Sequence, residues 1–567
     1  MSTDRDVSQK YGATGSRRSR WARAAFAALS GLIAGFTALC VAELVAAAVR
    51  PEAGPVAAVG GAVIDRTPPA VKDFAVRNFG TNDKLVLQLG ILVLLALFAM
   101  AVGILALRHR RTGAAAVLVF GVVGAVSAAG RPEGRPGDAL PSAVGALVAA
   151  GVLYLLAGRL APAAAPSPAA GETGGGVPDG GAPDSTVQGS TVQGSTVQGS
   201  TVPSAFDRRG FVIAATAAAA ASAGAGLLGR GLQASQLAGA AASREDITLP
   251  PPASPARPIP SGAGPDIRGL SSFVTPNKDF YRVDTALVVP RVDADRWRLR
   301  IHGKGVTRPV TLSFQDLLKR ELVERDITLT CVSNQVGGPY VGTARWIGVR
   351  LATLLSEAGV RPPSKGGSAD QIVARSVDGM TIGTPVEEVM DGRDALLAVG
   401  MNGEPLPFDH GFPVRMVVPG LYGYVSACKW IQDIELTTFD AYDAYWVKRD
   451  WSRRAPIKTQ SRIDTPRPFA APRAGTVPVA GVAWAQHRGI ARVEVRVDEG
   501  EWHTAKLAAE AGRDTWRQWV WEWPATTGHH TLQVRATDRT GATQTDKRVG
   551  TVPDGATGWH SVVVDVP

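Results

Sequence analysis

The sequence predicts three kinds of structure in succession along one chain, namely an all-α transmembrane bundle, an α+β domain and an all-β sandwich. Hydrophobic residues make up 45% of the 567 residues, and long apolar segments lie in the first third of the chain. The next region mixes short helical and strand patterns with glycine-rich loops. The C-terminal region alternates apolar and polar residues, which is the pattern of half-buried strands.

The transmembrane prediction depends on four apolar segments, because crossing a bilayer takes about 20 apolar residues. The segments cover approximately 21–49, 85–107, 114–129 and 140–160, and the third is the shortest. Each is apolar on all faces rather than striped, which disfavours the alternative of a buried soluble bundle. We therefore predict a basic cytoplasmic tail over 1–21 and a four-helix transmembrane domain over 22–161.

Positive residues indicate the orientation of these helices. Basic clusters occur at 17–20 and 108–111, and Arg159 ends the fourth segment. All of them lie on one side of the membrane if the N-terminus is cytoplasmic. A stretch rich in Ala, Pro, Gly and Ser follows over 162–206 and contains three tandem STVQG units. Its composition predicts a flexible linker, which this orientation places in the cytoplasm.

A further apolar segment over 207–230 begins with Arg208 and Arg209. One interpretation is a fifth transmembrane helix. The other is a twin-arginine export signal, which the R-R-x-F-V pattern resembles. Both interpretations place the rest of the chain on the extracytoplasmic side. A Pro- and Ala-rich tether is predicted over 231–265, and the small residues at 238–243 fit a cleavage site.

Composition also excludes several classes of function. The net charge is +10, but the basic residues do not form one patch with interleaved aromatics, so no nucleic-acid partner is expected. The cysteines are Cys40, Cys331 and Cys428, too few for a disulfide scaffold and without zinc-site spacing. A membrane haem needs two axial ligands, whereas the predicted spans offer His109 beside arginines at a helix end, so no haem is expected.

The most informative stretch is residues 327–351, ITLTCVSNQVGGPYVGTARWIGVRL. It places Cys331 after an apolar, strand-like run and before a glycine-rich loop. On residue type alone, such a cysteine is usually a small buried hydrophobe. A thiolate is also a ligand for thiophilic metals, so both interpretations stay open at this point.

Two other stretches carry functional residue types. Residues 408–430, FDHGFPVRMVVPGLYGYVSACKW, combine histidine, arginine and lysine with glycines that let the backbone approach an anion. Residues 275–284, TPNKDFYRVD, place an aromatic residue directly before an arginine.

Taken together, these stretches resemble the cofactor segments of the sulfite oxidase family of molybdenum enzymes. The resemblance rests on T-C-V-S-N-x-V-G-G, A-R-W-x-G-V-x-L, H-G-x-P-x-R and S-x-x-K-W, and extends over about 266–567. It implies a sulfite-oxidase-type molybdopterin domain over 266–440. It also implies that Cys331 coordinates molybdenum, while the dithiolene of a molybdopterin supplies two further sulfurs.

The resemblance implies a set of site residues as well. The implied cofactor-binding residues are Asn277, Tyr281, Arg282, Cys331, Ser376, His410, Arg415, Ser426 and Lys429. The implied catalytic residues are Cys331, Arg282 and Arg345, with the two arginines holding a small oxyanion substrate. A guanidinium suits an oxyanion because it donates hydrogen bonds in a planar fork.

The chain also departs from the family pattern at two positions. Tyr424 follows the V-P-G-x-x-G turn, where sulfite oxidases often carry an arginine. Cys428 lies next to Lys429, and we interpret it as a buried bystander. Because of the first departure, the motifs indicate the identity of the substrate less specifically than that of the cofactor.

Short alternating runs between 477 and 536, with turns at 498–500 and 538–541, predict an immunoglobulin-like sandwich over 441–567. The resemblance implies that this domain forms a homodimer. The expected function is a membrane-anchored, extracytoplasmic molybdenum oxidoreductase that transfers oxygen atoms and oxidises sulfite.

Two alternatives to sulfite oxidation stay open. One is reduction of a sulfoxide, such as oxidised methionine, by the same kind of enzyme. The other is a cofactor-free exported binding or adhesion protein. If the chain is an enzyme, its electron carrier is expected to be external, either a cytochrome c or a quinone-linked protein, because the sequence has no haem-attachment or iron–sulfur motif.

Overall fold

A computed structural model describes residues 4–67, 71, 83–131, 134–160 and 208–567. The predicted linker over 162–206 lies outside these residues. The described residues divide into two compact units. The first lies within 1–56, 75–126 and 139–230, and the second lies within 57–74, 127–138 and 231–567.

The apolar segments form helices. The helices are α1 (Asp4–Val49), α2 (Pro55–Arg66), α3 (Asp83–Ala106), α4 (Arg110–Ala129), α5 (Leu140–Arg159) and α6 (Arg208–Glu245). Among the described residues, five helical segments are long and apolar enough to cross a membrane. They are Trp21–Val49, Leu85–Ala106, Arg110–Ala129, Gly137–Arg159 and Arg208–Glu245. The chain therefore has the composition of a membrane-anchored protein.

Glycines allow two of these helices to pack closely. A Cβ at Gly31 of α1 would overlap the backbone carbonyl oxygen of Ala99 in α3, and a Cβ at Gly103 would overlap that of Ala27. Small residues at such crossings bring helix backbones into contact, which is a common basis of packing between transmembrane helices.

Three features of the helical region differ from the predicted boundaries. The basic tail over 1–21 is not separate, since α1 begins at Asp4. The segment after the first span contains α2, which the sequence analysis did not identify. The tether predicted from 231 is helical as far as Glu245, because its Ala-rich composition continues α6.

The first part of the second unit mixes strands with short helices. Its first strands are β1 (Arg298–Gly303), β2 (Val310–Ser313), β3 (Val323–Thr330), β4 (Val341–Arg350), β5 (Gln371–Ser376), β6 (Thr381–Pro385), β7 (Leu396–Met401), β8 (Glu404–Pro405), β9 (Arg415–Val417) and β10 (Ile431–Thr437). The short helices are α7 (Phe314–Leu318), α8 (Leu351–Glu357), α9 (Val386–Met390) and α10 (Gly423–Ser426).

These strands form two sheets. The order in one sheet is β2-β1-β10-β5-β6, with β1 parallel to β10 and the other pairs antiparallel. The other sheet has the order β3-β4-β7-β8, and β9 also pairs with β7. A continuous apolar core joins both sheets. The α+β prediction for this region is confirmed.

The C-terminal region is all-β. Its strands are β11 (Gln460–Thr465), β12 (Gly475–Trp484), β13 (Ile490–Val497), β14 (His503–Thr504), β15 (Lys506–Leu507), β16 (Arg517–Ala525), β17 (Gly528–Asp538) and β18 (His560–Val566). They form two antiparallel sheets, β11-β12-β16-β15 and β14-β13-β17-β18. Inward-facing residues of both sheets share one core, which includes Trp519, Trp523 and Val534.

The C-terminal region contacts both the end of β3 and the loop that follows it. Nη1 of Arg462 donates to the carbonyl oxygen of Gly338 at 2.9 Å. Nε2 of Gln486 donates to the carbonyl oxygen of Thr328 at 3.0 Å. The imidazole of His560 packs against Gly337, where a Cβ would overlap it. These contacts fix the loop beside Cys331.

Candidate active site

A cavity of about 120 Å³ lies where β3, β5, β9 and α10 converge. Six of the nine residues implied to bind cofactor line it. They are Tyr281, Cys331, Ser376, His410, Arg415 and Lys429. The structure thus brings together residues that are separated by up to about 150 positions in the sequence.

Cys331 lies directly after β3 and is 8% exposed. Its backbone N–H donates to the carbonyl oxygen of Tyr340 at 3.0 Å, which turns the chain into the glycine-rich loop. Burial raises the pKa of the Cys331 thiol, so the thiol is neutral unless a cation is bound to it. A metal ion would supply that cation.

Protein donors for a metal are few in this region. Among the described residues, no group of three or more His, Cys, Asp and Glu side chains could hold a metal ion. A single cysteine therefore fits a metal whose remaining ligands belong to a cofactor, as the resemblance to molybdopterin enzymes implies.

Arg415 is the principal cation of the cavity wall and is 5% exposed. Its guanidinium lies 4.9 Å from the ring centroid of Trp346, and its Nη1 donates to the carbonyl oxygen of His410 at 3.1 Å. Its Nε is buried and has no hydrogen-bond partner within the described part of the chain. A buried cation with an unused donor is costly, so this site fits an anionic ligand group.

The pKa of Arg415 is lowered by burial to about 10, so its side chain stays charged at neutral pH. Burial and the charge of Arg415 lower the pKa of His410 to about 4. Nε2 of His410 lies 2.9 Å from the carbonyl oxygen of Asn277, which assigns the proton of the neutral ring to Nε2. His410 is thus a neutral, fixed hydrogen-bonding residue of the wall.

Lys429 supplies the second cation. Its Nζ lies 2.7 Å from Oδ2 of Asp284 and donates to the carbonyl oxygen of Asp409 at 3.2 Å. Burial lowers the pKa of Lys429 to about 8, and the adjacent carboxylate of Asp284 opposes that change. Asp284 lies in the cavity lining, and the sequence analysis did not identify its role.

Arg282 lies beside this network rather than in the cavity lining. Its Nε donates to Oδ2 of Asp284 at 2.8 Å, and its Nη1 is 3.2 Å from Oδ1 of Asp409. Arg282 is thus connected to Lys429 through a shared carboxylate, and its side chain is about one-third exposed.

Arg345 lies elsewhere. Its Nε and Nη2 donate to the two carboxylate oxygens of Asp326 at 2.8 and 2.9 Å. This bond to Asp326 raises the pKa of Arg345. Neighbouring strand residues point to opposite faces, so Trp346 lies under Arg415 while Arg345 is directed away from the cavity lining.

Asn277 and Ser426 also lie outside the lining but support it. The backbone carbonyl of Asn277 accepts a hydrogen bond from Nε2 of His410, and Nδ2 of Asn277 donates to Oε1 of Glu404 at 2.5 Å. Oγ of Ser426 bonds to the carbonyl oxygens of Leu421 and Tyr422 at 2.9 and 3.0 Å, which stabilises the turn of α10.

Several residues of the cavity wall were not predicted from the sequence, or were predicted in a different role. Cys428 is 1% exposed, as expected of a buried residue, but it also lines the cavity. Tyr424, Trp446 and Trp451 form an aromatic part of the wall, with ring centroids of Trp451 at 5.6 Å from Tyr424 and 6.2 Å from Trp446. The tryptophans follow the second motif block, and no spacing rule connected them to it.

Comparisons with known proteins agree with this site. Residues 286–446 match the family model of the oxidoreductase molybdopterin binding domain. Mitochondrial sulfite oxidase from Homo sapiens is 30% identical over 322 residues, which cover 49% of this chain and 58% of that protein. NADH nitrate reductase 1 from Oryza sativa is 34% identical over 199 residues, covering 31% of this chain and 21% of that protein.

A crystal structure of the sulfane dehydrogenase SoxCD from Paracoccus pantotrophus is also similar, at 24% identity and a TM-score of 0.45. The match covers 52% of this chain and 84% of the other. The chain spans a little over half the length of the curated sulfite oxidases it matches.

Proposed function

We propose that this chain, which belongs to the sulfite oxidase family through its molybdopterin-binding domain, is a membrane-anchored oxidoreductase that oxidises sulfite on the extracytoplasmic side. The observation that carries the proposal is the cavity that joins Cys331 to the buried guanidinium of Arg415. A thiol and an incompletely bonded cation in one site suit a metal–pterin cofactor with an anionic tail.

Cys331 would supply the protein sulfur to molybdenum. Arg415, Lys429 and neutral His410 would hold the anionic and polar groups of the pterin, supported by Tyr281 and Ser376 in the wall. Asn277, Arg282 and Ser426 would act through their contacts with these residues. When bound, the cofactor supplies the oxygen-atom transfer itself, and the protein supplies position, charge and exclusion of water.

The reaction balances with water as the source of oxygen and an external carrier as the electron acceptor. Sulfite and water yield sulfate, two protons and two electrons, and an external carrier removes the electrons. We propose Arg282 as the residue that attracts the oxyanion at the rim, since its guanidinium is partly exposed beside Asp409. Arg345 was implied in the same role, and its pairing with Asp326 supports a positioning role instead. No haem is proposed, and a cytochrome c or a quinone-linked protein would accept the electrons.

The aromatic wall favours a second candidate reaction, which is reduction of an organic sulfoxide. Tyr424, Trp446 and Trp451 offer apolar contact to a substrate, and the hydroxyl of Tyr424 already donates to the carbonyl oxygen of Ser452 at 2.7 Å. If the cofactor pairs with the cations of the wall, those cations no longer compensate a charged substrate. Moving an uncharged substrate from water into the site then costs less free energy than moving a dianion. A cofactor-free adhesion protein would have no use for the buried cations.

The location is part of the proposal. The basic clusters on one side of the predicted spans support a cytoplasmic N-terminus and an extracytoplasmic catalytic region. Arg208 and Arg209, at the start of α6, support a twin-arginine export signal or a fifth span. The paired four-stranded sheets support an immunoglobulin-like C-terminal domain. The homodimer implied by the resemblance would form through this domain.

The test is the molybdenum content of the full-length protein, purified in detergent after co-expression with cofactor synthesis. We expect about one molybdenum per chain and loss of the metal in Cys331→Ser, with Cys40→Ser as the matched control that keeps it. Sulfite oxidation with ferricyanide and aryl sulfoxide reduction with a reduced viologen would then separate the two reactions. A folded protein without molybdenum would refute the proposal.

A further inference from the structure

A positively charged cleft lies on the outer face of the β2-β1-β10-β5-β6 sheet. Four arginines line it against two carboxylates. These charged residues are Arg135, Arg298, Arg300, Arg375, Asp433 and Glu435. The arrangement follows from strand alternation, because Leu299 and Ile301 of β1 are buried while the arginines on either side of Leu299 are exposed.

The carboxylates neutralise part of this charge. Arg300 pairs with Asp433 at 3.0 Å, and Arg375 pairs with Glu435 at 3.3 Å. Arg298 instead donates to the carbonyl oxygens of Asp295 and Trp297 at 2.8 and 2.6 Å, and its charge also acts on the carboxylate of Asp316, which leaves four arginines against three carboxylates. The cleft therefore presents a surplus of positive charge.

The same strands lead directly into the cavity. Ser376 lines the cavity, whereas the preceding residue, Arg375, lines the cleft. Lys429 and Trp430 line the cavity, and Gln432 and Asp433 of β10 line the cleft. Consecutive strand residues are about 3.3 Å apart, so only a few residues separate the two sites along each strand.

We propose that this cleft is the docking surface for a redox carrier protein with an acidic face. The proposal rests on the proposed function, since it assumes that the cavity holds a redox cofactor. Each sulfite oxidised releases two electrons, and two one-electron carriers would accept them in turn at this surface. Complementary charge raises the rate of encounter and fixes the orientation of a carrier over the short path to the cavity.

The test uses the full-length, molybdenum-loaded enzyme with sulfite and two forms of one carrier. The forms are a basic cytochrome c and the same protein with its lysines succinylated, which makes it acidic. We expect the succinylated form to be reduced faster, and its rate to fall as ionic strength rises from about 20 to about 200 mM. The double variant Arg298→Glu/Arg300→Glu should lower kcat/KM for the succinylated form by about tenfold or more.

Three controls make the result decisive. Arg473→Glu, at an exposed arginine of the C-terminal sheets, changes net charge alone and should leave the rate unchanged. Arg298→Gln should give an intermediate loss without introducing a repulsive charge. Molybdenum content and the temperature of unfolding should stay unchanged in every variant, which shows that the fold and cofactor are intact.

An unchanged rate with succinylated cytochrome c in the double variant would overturn the docking surface, as would a preference of the enzyme for the basic form. Absence of ferricyanide turnover in the unsubstituted protein would instead overturn the proposed function. The two failures are therefore distinguishable.

Discussion

Nη1 of Arg415 donates a hydrogen bond to the carbonyl oxygen of His410 at 3.1 Å, and both side chains lie in the wall of the same cavity. The charge of Arg415 opposes protonation of the buried imidazole, which contributes to lowering the pKa of His410 to about 4. The pKa of Arg415 stays near 10. At neutral pH the pair therefore carries one positive charge, located on the guanidinium.

This pair predicts how the stability of the cofactor-free protein depends on pH. Between about pH 6.5 and about pH 4 the unfolded chain binds a proton at His410 that the folded chain does not, so stability falls as pH falls. The full effect of this pKa difference is about 3 kcal/mol. In thermal unfolding, His410→Gln should lose less stability between about pH 7 and about pH 5 than the unsubstituted protein.

Two further histidines provide internal comparisons. His560 is also buried with a pKa lowered to about 4, so His560→Gln should reduce the pH dependence in the same direction. The side chain of His529 is 84% exposed, and His529→Gln is the matched control for the substitution itself. Equal pH dependence in His410→Gln and the unsubstituted protein would contradict a neutral, buried His410.

Two arginines from the sequence motifs should behave differently on substitution. Arg415→Gln removes the buried cation of the cavity, so we expect loss of bound pterin, measured by fluorescence after oxidation. Arg345→Gln should keep the pterin and destabilise the protein by about 2 kcal/mol, because it removes hydrogen bonds to Asp326. A protein that loses its pterin in Arg345→Gln while unfolding normally would assign Arg345 to the cofactor site.

The loop after Cys331 provides a test of backbone packing. Gly337 and Gly366 both have φ of 78°, so alanine at either position carries the same left-handed strain of about 1 kcal/mol. A Cβ at Gly337 would also overlap the imidazole of His560, whereas a Cβ at Gly366 meets no atom within 4 Å. Gly337→Ala should therefore unfold at a clearly lower temperature than Gly366→Ala and retain less molybdenum. Similar behaviour of the two variants would show that His560 does not restrain this loop.

The sequence predicted the thiol and the basic residues of the cavity wall better than its aromatic residues. Cys331, His410, Arg415 and Lys429 were identified because a shared cofactor constrains residue type and spacing within short motifs. These features depend on neighbours in the chain, and a single sequence contains that information.

Features that depend on tertiary contacts were missed. Trp446 and Trp451 reach the cavity from the segment between β10 and β11, and nothing in their local pattern indicates it. The direction of Arg345 depends on which face of β4 packs against the core, and Asp326 on β3 decides it. The short helix α2, in the segment after the first predicted span, was not assigned from the sequence.

The aromatic wall allows a test that separates the two candidate reactions. The ring of Tyr424 packs against Trp451 with centroids 5.6 Å apart, and its hydroxyl is bonded to Ser452. Tyr424→Arg would add a cation to the wall, so kcat/KM for sulfite should rise by about tenfold, the effect of one hydrogen bond to a charged group. The same change should lower turnover of an aryl sulfoxide, because it replaces aromatic contact with a hydrated charge. Tyr424→Phe keeps the ring and should change both rates little, so a large loss there would instead assign a direct role to the Tyr424 hydroxyl.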